Sequence, residues 1–569
     1  MIHVDYDGAV LSIDAPSRLT NTIAKIPGTR AVRGADRWLA DPNWITLQAI
    51  GTELADLDGF SASDAAANLI DQYLHHESVV REWKTGEERV AEDRLYGYQH
   101  AGAGLLQTGP FMLLDEMGTG KTVMALTAAR HVGGAVLVVA PNSMKHRWAR
   151  EAATWYPEAA SFVIEGSAAQ KRKTLEDASN TWMNADRPVL VVVNWESLRT
   201  LTRLSHYGST ARADKEKEDG PLNEIDWNVV IADEAHRAKD PKSKQTRALW
   251  AVSQGARYRW ALTGTPVLNT PGDLWAIGRF YDPATFGDAR HKWHNYYVDF
   301  IETQWGPKDI GLRRDRKKVF TAWFDLHTIR RTKDEVLDLP PITYQVRELE
   351  MAPKQKAAYN RMVTDMIALI DGEILAATDP LVLLGRLSQI ASATPVVEDM
   401  EVVALDVPSN KITALLEIID EMEEGKQLAV FAQSRKLIEL AASELARKGI
   451  DSVQITGAVD AFVRDMYVEK FQAGEVPVAL CTMAAGSEGI DLYAADTAVF
   501  LQRSYSYGHS QQAESRIHRN GQEADRVTVI DLVSKYTVDE AVLSALQSKA
   551  GMSEDVLRDQ ARQLLGAKA

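Results

Sequence analysis

The chain has 569 residues, of which 45% are hydrophobic and 25% are charged, and its formal net charge is −15. This length exceeds what one hydrophobic core supports, so we expect two to four globular domains. The single cysteine, Cys481, excludes a disulfide framework and a multi-cysteine zinc site. No apolar run approaches the ~20 residues that cross a bilayer, and residues 1–10 lack a signal-peptide pattern. We therefore expect a cytoplasmic protein with no membrane partner.

Residues 1–92 are predicted to form a small separate domain of mixed character, bounded by the polar stretch Lys84–Asp93. Between Arg18 and Arg37, five basic residues face one acidic residue, although the whole chain is acidic. Such a patch is compatible with a solvated surface, but it is also compatible with contact to a phosphate backbone.

A phosphate-binding loop is predicted at Asp115–Thr122, which reads DEMGTGKT. An apolar strand candidate, Phe111–Leu114, precedes it, and a helical segment, Val123–His131, follows. This order points backbone N–H groups and the positive end of a helix dipole at one place. Lys121 can then reach the β- and γ-phosphates of a nucleotide, and the Thr122 hydroxyl can bind Mg²⁺.

The loop departs from the general phosphate-loop pattern at Asp115, where that pattern has glycine. Gly118 and Gly120 still leave room for the backbone to close on phosphates. The residues expected to bind the nucleotide here are Met117, Gly118, Thr119, Gly120, Lys121 and Thr122.

A second element of the nucleotide site is predicted at Asp233–His236, which reads DEAH. The apolar run Trp227–Ala232 before it indicates a buried strand. Asp233 at the end of that strand can hold Mg²⁺, and Glu234 can orient or deprotonate the attacking water. The alternative is a solvated acidic helix start, but the phosphate loop upstream favours nucleotide hydrolysis.

Two series of strand candidates alternate with helical segments, which is typical of parallel sheets covered by helices. The first series is Met112–Leu114, Val136–Ala140, Val189–Asn194, Val229–Ala232 and Tyr258–Thr263. The second is Leu428–Ala432, Val453–Thr456, Val478–Thr482, Ala498–Gln502 and Val527–Leu532. The second series has no phosphate loop of its own, so we expect two α/β lobes that share one nucleotide cleft.

The segment Pro271–Ser409 between the two series is predicted to be mainly helical. From Lys308 to Lys333 it has nine basic residues against three acidic ones, with Trp305 and Trp323 nearby. The expected divisions are an accessory domain (1–92), a first lobe (93–285), a helical insertion with the basic patch (286–409), a second lobe (410–545) and a terminal helix (546–569).

Several segments occur in an order typical of one family: LYGYQ, APNSMKHRW, NWESL, DEAH, ALTGTP, IRRTK, AGSEGIDL and QQAESRIHRNGQ. Over residues 95–545, the chain resembles the Swi/Snf-type ATPases of helicase superfamily 2, whose phosphate loop is similar at Asp115. The resemblance implies an α/β fold with two RecA-like parallel-sheet lobes, helical insertions and a small N-terminal accessory domain. It also implies ATP and Mg²⁺ as cofactors.

The resemblance assigns further roles residue by residue. It implies that Gln99 reads adenine, that Gly489 and Asp491 contact the nucleotide and the strand, and that Arg516 and Arg519 are arginine fingers. Their spacing of three predicts that both arginines lie on one helical face, although a surface ion pair is the alternative. The expected coupling residues are His236, Gly264, Thr265 and Pro266. The residues expected to line the nucleic-acid track are Lys145, Trp148, Asn194, Gln433, Ser434 and Arg435, with a core position as the alternative for Trp148.

The run Ile23–Leu47 resembles the small DNA-binding module that precedes the motor in annealing helicases. The alternative is a structural cap on the first lobe. The overall expectation is a monomeric ATP-dependent translocase, bacterial or phage in origin, that acts on double-stranded or branched DNA or on protein–DNA complexes. Two alternatives stay open: a strand-separating DNA or RNA helicase, and a nucleotide-gated DNA-binding scaffold. The intact Lys121 and Glu234 argue against the scaffold.

Overall fold

The computed structural model describes residues 1–24, 26, 29–85, 95–184, 187–207, 213–264, 274–287, 290–303, 306–365, 367–370, 373–376, 380–483, 490–504 and 507–546. The chain divides into two compact units, Met1–Glu116 with Gly120–Thr332 and Met117–Thr119 with Lys333–Ala569. The boundary at 332/333 falls inside the expected 286–409 segment. Several expectations lie outside the described residues: those for Thr265, Pro266, Trp305, Gly489 and residues 547–569. In the described ranges, no helix has the length and apolar character needed to cross a bilayer.

The first unit begins with a five-stranded sheet in the order β3-β4-β2-β1-β5. Its strands are β1 (Ile2–Tyr6), β2 (Leu11–Asp14), β3 (Arg30–Ala31), β4 (Arg37–Ala40) and β5 (Phe60–Ala62), and its helices are α1 (Thr20–Ile23), α2 (Trp44–Glu53) and α3 (Asp64–Thr85). Alternate residues such as Val4, Leu11 and Ile13 are fully buried, because successive side chains of a strand point to opposite faces. This sheet therefore has its own small core.

The first lobe contains a seven-stranded sheet, all parallel, in the order β14-β6-β11-β10-β7-β9-β8. The strands of this part are β6 (Phe111–Leu113), β7 (Ala135–Ala140), β8 (Ala160–Val163), β9 (Val189–Asn194), β10 (Val229–Asp233), β11 (Tyr258–Leu262), the hairpin β12 (Val298–Thr303) and β13 (Gly306–Leu312), and β14 (Thr328–Ile329). All six residues of β7 and of β9 are buried, as expected for parallel strands with helices on both faces.

The helices of this lobe are α4 (Gly97–Gln107), α5 (Lys121–Val132), α6 (Lys145–Trp155), α7 (Ala168–Asn184), α8 (Trp195–Leu201), α9 (Lys244–Val252), α10 (Leu274–Tyr281), α11 (Pro283–Phe286), α12 (Arg290–Tyr297) and α13 (Lys317–His327). Short 3₁₀ turns in the first unit span Ser17–Leu19, Asn142–Met144, Asp214–Glu216, Pro221–Asn223 and Ala235–Ala238. The last of these follows β10 directly, so the DEAH segment leaves its strand through a tight turn.

The second unit contains a six-stranded parallel sheet in the order β15-β24-β23-β20-β22-β21. The strands of the second unit, including two separate hairpins, are β15 (Ile342–Leu349), β16 (Ile367–Ile370), β17 (Glu373–Ala376), β18 (Thr394–Glu398), β19 (Glu401–Asp406), β20 (Leu428–Ala432), β21 (Ser452–Ile455), β22 (Val478–Thr482), β23 (Thr497–Phe500) and β24 (Val527–Ser534). Its helices are α14 (Lys333–Val336), α15 (Pro353–Asp365), α16 (Pro380–Ser392), α17 (Asn410–Asp420), α18 (Arg435–Arg447), α19 (Ala461–Gln472) and α20 (Tyr507–Glu514). Two hydrophobic clusters form its core.

All ten predicted strands are present, with ends that differ by at most two residues, so the two-sheet α/β fold is confirmed. The sequence did not predict β8, β14 or β15, which lie at sheet edges. The expectation of a mainly helical Pro271–Ser409 was wrong in part, because this segment also contains β14, β15 and the hairpins β12–β13, β16–β17 and β18–β19. Strands such as β12 (VDFIET) and β13 (GPKDIGL) mix charged with apolar residues, so they lack the continuous apolar runs by which the other strands were predicted.

Candidate functional site

The predicted nucleotide-binding segments of the first unit meet at the carboxyl ends of three adjacent strands of its sheet. The phosphate loop follows β6, the DEAH segment follows β10, and Thr263 follows β11. These strands are consecutive in the sheet order β6-β11-β10, and all of them are parallel. Their carboxyl ends therefore lie side by side, which is where open parallel sheets bind ligands.

The phosphate loop has the backbone that its glycines allow. Gly118 and Gly120 have φ values of +87° and +90°, in the left-handed region that favours glycine. Gly120 is the N-cap of α5, so Lys121 is the first residue of that helix. A side chain at Gly120 would also collide with the amide of Gln99, the residue expected to read adenine.

Lys121 connects the loop to the acidic strand end. Its ammonium donates to the main-chain oxygens of Asp115 (2.7 Å) and Glu116 (3.0 Å). Burial lowers the pKa of Lys121, and the nearby carboxylates of Glu234, Asp115 and Asp233 act in the opposite direction. The structure therefore brings Lys121 near the Asp233–Glu234 pair, although 112 residues separate them in the sequence.

Asp233 is held by three donors at the end of β10. The indole N–H of Trp148 donates to Asp233 Oδ2 (2.8 Å), and the indole N–H of Trp195 donates to the main-chain oxygen of Asp233 (3.0 Å). The main-chain N–H of Glu234 donates to Asp233 Oδ1 (3.1 Å). Burial and the adjacent Glu234 carboxylate raise the pKa of Asp233, and the Trp148 donor and Lys121 oppose that rise. Sequence reasoning did not identify Trp195 at this site.

Glu234 adopts a backbone conformation that is uncommon for its residue type, with φ +51° and ψ +50°. Its Oε2 lies 3.2 Å from His236 Nδ1, and the same ring nitrogen lies 3.2 Å from Thr263 Oγ1. Strained residues held this way are typical of functional sites. The predicted coupling residue His236 therefore joins the strand ends of β10 and β11, next to the buried Gly264.

Asp115 has a structural partner that explains the departure from the general loop pattern. The main-chain N–H and Nε of Arg331 donate to Asp115 Oδ1 at 2.9 and 3.1 Å. Arg331 also donates to the main-chain oxygen of Tyr98, and its guanidinium lies 5.3 Å from the centre of the Tyr98 ring. The aspartate thus fixes the IRRTK segment beside the phosphate loop.

In the second unit, the structure brings Arg519 and Asp491 together in an ion pair. The expectation that Arg516 and Arg519 share a helical face was wrong, because α20 ends at Glu514 and both arginines lie in the turns that follow. The main-chain oxygen of Arg516 accepts from the N–H of Leu492 (3.0 Å), so these turns are tied to the segment that contains Asp491.

Three residues expected on the nucleic-acid track are buried. Trp148 is fully buried under Asp233, so its core alternative applies. The ammonium of Lys145 donates to the main-chain oxygen of Ile164 (3.2 Å), and the amide of Asn194 donates to Glu196 Oε2 (2.9 Å). By contrast, Gln433 and Arg435 are exposed, and Ser434 is partly exposed, where α18 begins.

Much of the basic patch between Lys308 and Lys333 serves internal contacts. The guanidinium of Arg316 lies 4.2 Å from the centre of the Tyr296 ring. Arg330 donates to the main-chain oxygen of Leu114, Arg331 pairs with Asp115, and Lys333 donates to the main-chain oxygen of His518. The charge count of this segment therefore overstates its free positive surface.

The donor set at the first unit's sheet edge fits a nucleotide with Mg²⁺. Mg²⁺ is usually bound through one or two carboxylates together with substrate phosphates, rather than by an all-protein cage. Asp233 and Thr122 supply such oxygens, and in the described part of the chain no cluster of three or more His, Cys, Asp or Glu residues offers a cage instead. The N-terminus of α5 adds main-chain N–H groups that favour phosphate.

Comparisons with known proteins agree with this arrangement. Residues 89–395 match the SNF2-related domain, and residues 410–521 match the helicase conserved C-terminal domain. The chain is 27% identical over 459 residues to YwqA of Bacillus subtilis (strain 168), named as an ATP-dependent helicase/translocase, with 79% of this chain and 46% of that protein covered. It is 25% identical over 473 residues to the ISWI chromatin-remodeling complex ATPase ISW1 of Saccharomyces cerevisiae, with 79% and 38% covered.

Among solved structures, the Sulfolobus solfataricus SWI2/SNF2 ATPase core in complex with dsDNA has a TM-score of 0.36 and 22% identity, covering 83% of this chain and 94% of that one. The chain spans less than half the length of the two curated relatives. The SNF2-related match by itself covers more than half of the chain, from residue 89 to residue 395. The chain therefore belongs to the SNF2-related family of helicase superfamily 2 ATPases.

Proposed function

We propose that this protein is an ATPase that moves along double-stranded DNA and remodels branched DNA or protein–DNA complexes. The observation that carries the proposal is the meeting of Lys121 with the Asp233–Glu234 pair at the carboxyl ends of β6 and β10. This combination of a phosphate-binding cation, a metal-binding carboxylate and a base is what phosphoryl transfer from ATP to water requires.

In this proposal, Lys121 and the main-chain N–H groups of the loop bind the β- and γ-phosphates of ATP. Asp233 and Thr122 would hold Mg²⁺, which would neutralise charge on the phosphates. Glu234 orients the attacking water and accepts its proton, because its carboxylate is partly exposed at the strand end. Gln99 contacts the adenine, and the roles of Gly489 and Asp491 toward the nucleotide stay predictions.

Arg516 and Arg519 are proposed as arginine fingers. Charge accumulates on the transferred phosphoryl group, and a planar guanidinium that is always ionised stabilises it. In the structure, Arg519 forms an ion pair with Asp491.

Double-stranded DNA is the proposed substrate because the names of the relatives point to translocases and chromatin remodelers. On the chain itself, Gln433 and Arg435 offer exposed donors, and the N-terminal domain exposes Arg18, Arg30 and Arg33. These side chains suit contacts to phosphates, which position a motor without reading sequence.

One observation favours strand separation as a second candidate function. The hairpin β12–β13 exposes Phe300 (38%) and Ile301 (48%). Apolar side chains on a hairpin are suited to interrupting base stacking, which is worth roughly 1.4 kcal/mol per base-pair step.

The test is the ATPase rate with blunt duplex, forked DNA, single-stranded DNA and RNA, using Glu234→Gln as the inactive control. We expect duplex-containing DNA to stimulate most, third-strand displacement to occur, and unwinding of a tailed duplex to be weak. Glu234→Gln should keep ATP binding and lose turnover, because it removes the base but not the metal ligand. Efficient unwinding that is lost in Phe300→Ser with Ile301→Ser would support strand separation instead. Near-normal turnover by Glu234→Gln would contradict the catalytic assignment.

A further inference from the structure

Two tryptophans from separate elements converge on Asp233. Trp148 lies in α6, which follows β7, and Trp195 is the first residue of α8, which follows β9. Both side chains are fully buried. One indole N–H donates to the Asp233 carboxylate at 2.8 Å, and the other donates to the main-chain oxygen of the same residue at 3.0 Å. The carboxylate and the backbone of Asp233 are thus fixed by different elements.

Ordinary packing does not require this choice of partner for Trp148. A buried indole N–H needs an acceptor, but in this unit that acceptor is more often a main-chain oxygen. Trp227, Trp250 and Trp260 of the same unit donate to the main-chain oxygens of Leu222, Ala276 and Gly109, respectively. Trp148 instead donates to a carboxylate at the ligand-binding edge of the sheet.

We propose that Trp148 and Trp195 are positioning residues that orient Asp233 for Mg²⁺, a role that rests on the function proposed above. A carboxylate at a strand end can rotate about its side-chain torsions, and a donor on Oδ2 selects one orientation. The indole is a neutral donor, so it fixes the carboxylate without placing a positive charge where Mg²⁺ must bind. Partners behind a metal ligand commonly tune metal affinity in this way. The segments APNSMKHRW and NWESL, which contain these two tryptophans, then support the metal ligand Asp233.

The experiment uses the full chain and measures the Mg²⁺ dependence of nucleotide binding with a fluorescent ATP analogue. Trp148→Phe keeps an aromatic ring and removes the N–H donor, and the control variant below matches the accompanying loss of ring volume. We expect the half-saturating Mg²⁺ concentration to rise about 10- to 100-fold, and saturating Mg²⁺ to restore nucleotide affinity. Trp195→Phe should shift it in the same direction. Trp227→Phe is the matched control, because it removes a buried indole donor whose acceptor is Leu222 (2.8 Å), and its Mg²⁺ dependence should equal that of the wild type.

Thermal melting of each variant accompanies the titration, and Trp195→Phe provides a second test if Trp148→Phe does not fold. An unchanged Mg²⁺ dependence in folded Trp148→Phe and Trp195→Phe would overturn the positioning role. Equal shifts in Trp148→Phe and Trp227→Phe would also overturn it, since the effect would then be structural. If the wild-type protein binds the analogue without any Mg²⁺ dependence, the proposed function itself is overturned. That result is seen in the wild type, whereas the other two results are differences between variants, so they can be told apart.

Discussion

Asp115 and Arg331 form a buried pair at the base of the phosphate loop, with side-chain exposures of 0% and 13%. The main-chain N–H of Arg331 adds a further hydrogen bond to the same carboxylate. Removing one partner of a buried pair leaves an uncompensated charge, and this costs about 3–5 kcal/mol. At the scale of single residues, the position that breaks the general loop pattern is therefore a stabilising one.

We expect Asp115→Asn to lower the free energy of unfolding of the first unit by about 3–5 kcal/mol, measured by chemical denaturation. The matched control is Asp14→Asn, which breaks the exposed pair with Arg37, where the side-chain exposures are 37% and 52%. That pair should contribute much less than the buried pair, because its charges are exposed to solvent. Similar losses in the two variants would contradict a special role for the buried pair.

We expect Arg516→Ala and Arg519→Ala each to slow ATP turnover by about 10³-fold, as for arginine fingers in other nucleotide hydrolases. DNA affinity should change little, because these residues are assigned to the nucleotide. Arg435→Ala provides the converse control, since Arg435 is exposed and should affect DNA binding more than basal turnover. Stopped-flow ATPase measurements and DNA titrations on the same preparations check both. A loss of DNA affinity in all three variants would move the two arginines to the DNA-binding surface.

At the scale of elements, the contact between α3 and α13 contains ionisable groups that make the folded protein more stable at neutral pH than in acid. The His76 and His327 rings lie 6.3 Å apart, and Lys84 Nζ lies 3.4 Å from Asp325 Oδ1. Burial lowers the pKa of His76 from its ordinary 6.5 to about 4, and burial also lowers the pKa of His327. Both histidines are therefore neutral in the folded protein at pH values where an unfolded chain would begin to protonate them.

The sign of the pH effect follows from this difference. Between pH 6.5 and about 4, the unfolded state binds more protons than the folded state, so the free energy of unfolding falls as the pH falls. We expect the melting temperature of the first unit to drop between pH 7 and pH 5. His76→Asn should make this drop shallower, whereas the same change at the exposed His75 should not. Parallel pH profiles for the two variants would contradict the assignment to His76.

At the scale of the whole molecule, residues 1–85 are not independent of the first lobe. Trp44 and Val80 belong to the core of that lobe, and the Trp83 ring occupies the space that a side chain at Gly104 would need. The helices of this domain therefore pack on the lobe as a cap would, and its DNA-binding role stays a prediction.

We expect deletion of residues 1–92 to lower the melting temperature, because it uncovers core residues of the first lobe. A surface variant tests DNA binding without that loss: Arg18→Ala, Arg30→Ala and Arg33→Ala combined, all at exposed positions. It should melt like the wild type, bind forked DNA less tightly, and lower the slope of log affinity against log salt by up to about 0.9 per arginine. Unchanged fork affinity and salt dependence would leave this domain with the cap role alone.

The sequence by itself determined ten strands of the two parallel sheets, the phosphate-loop and DEAH segments and the family. Each is encoded in a short contiguous stretch, where buried apolar runs and spaced chemical groups can be read directly. The same holds for the predicted roles of Lys121, Asp233 and Glu234, which follow from the segment in which each lies. For this reason, β9, β20 and β22 match their predicted limits.

Tertiary structure decided which side chains meet. Asp115 and Arg331 are 216 positions apart, and Trp148 and Asp233 are 85 apart, so no local pattern shows either hydrogen bond. The two residues of β14 are too few for a periodic signal, and they form a strand because they pair with β6. The basic patch illustrates the same limit, because charge can be counted along a chain, but its exposure depends on partners that only folding brings near.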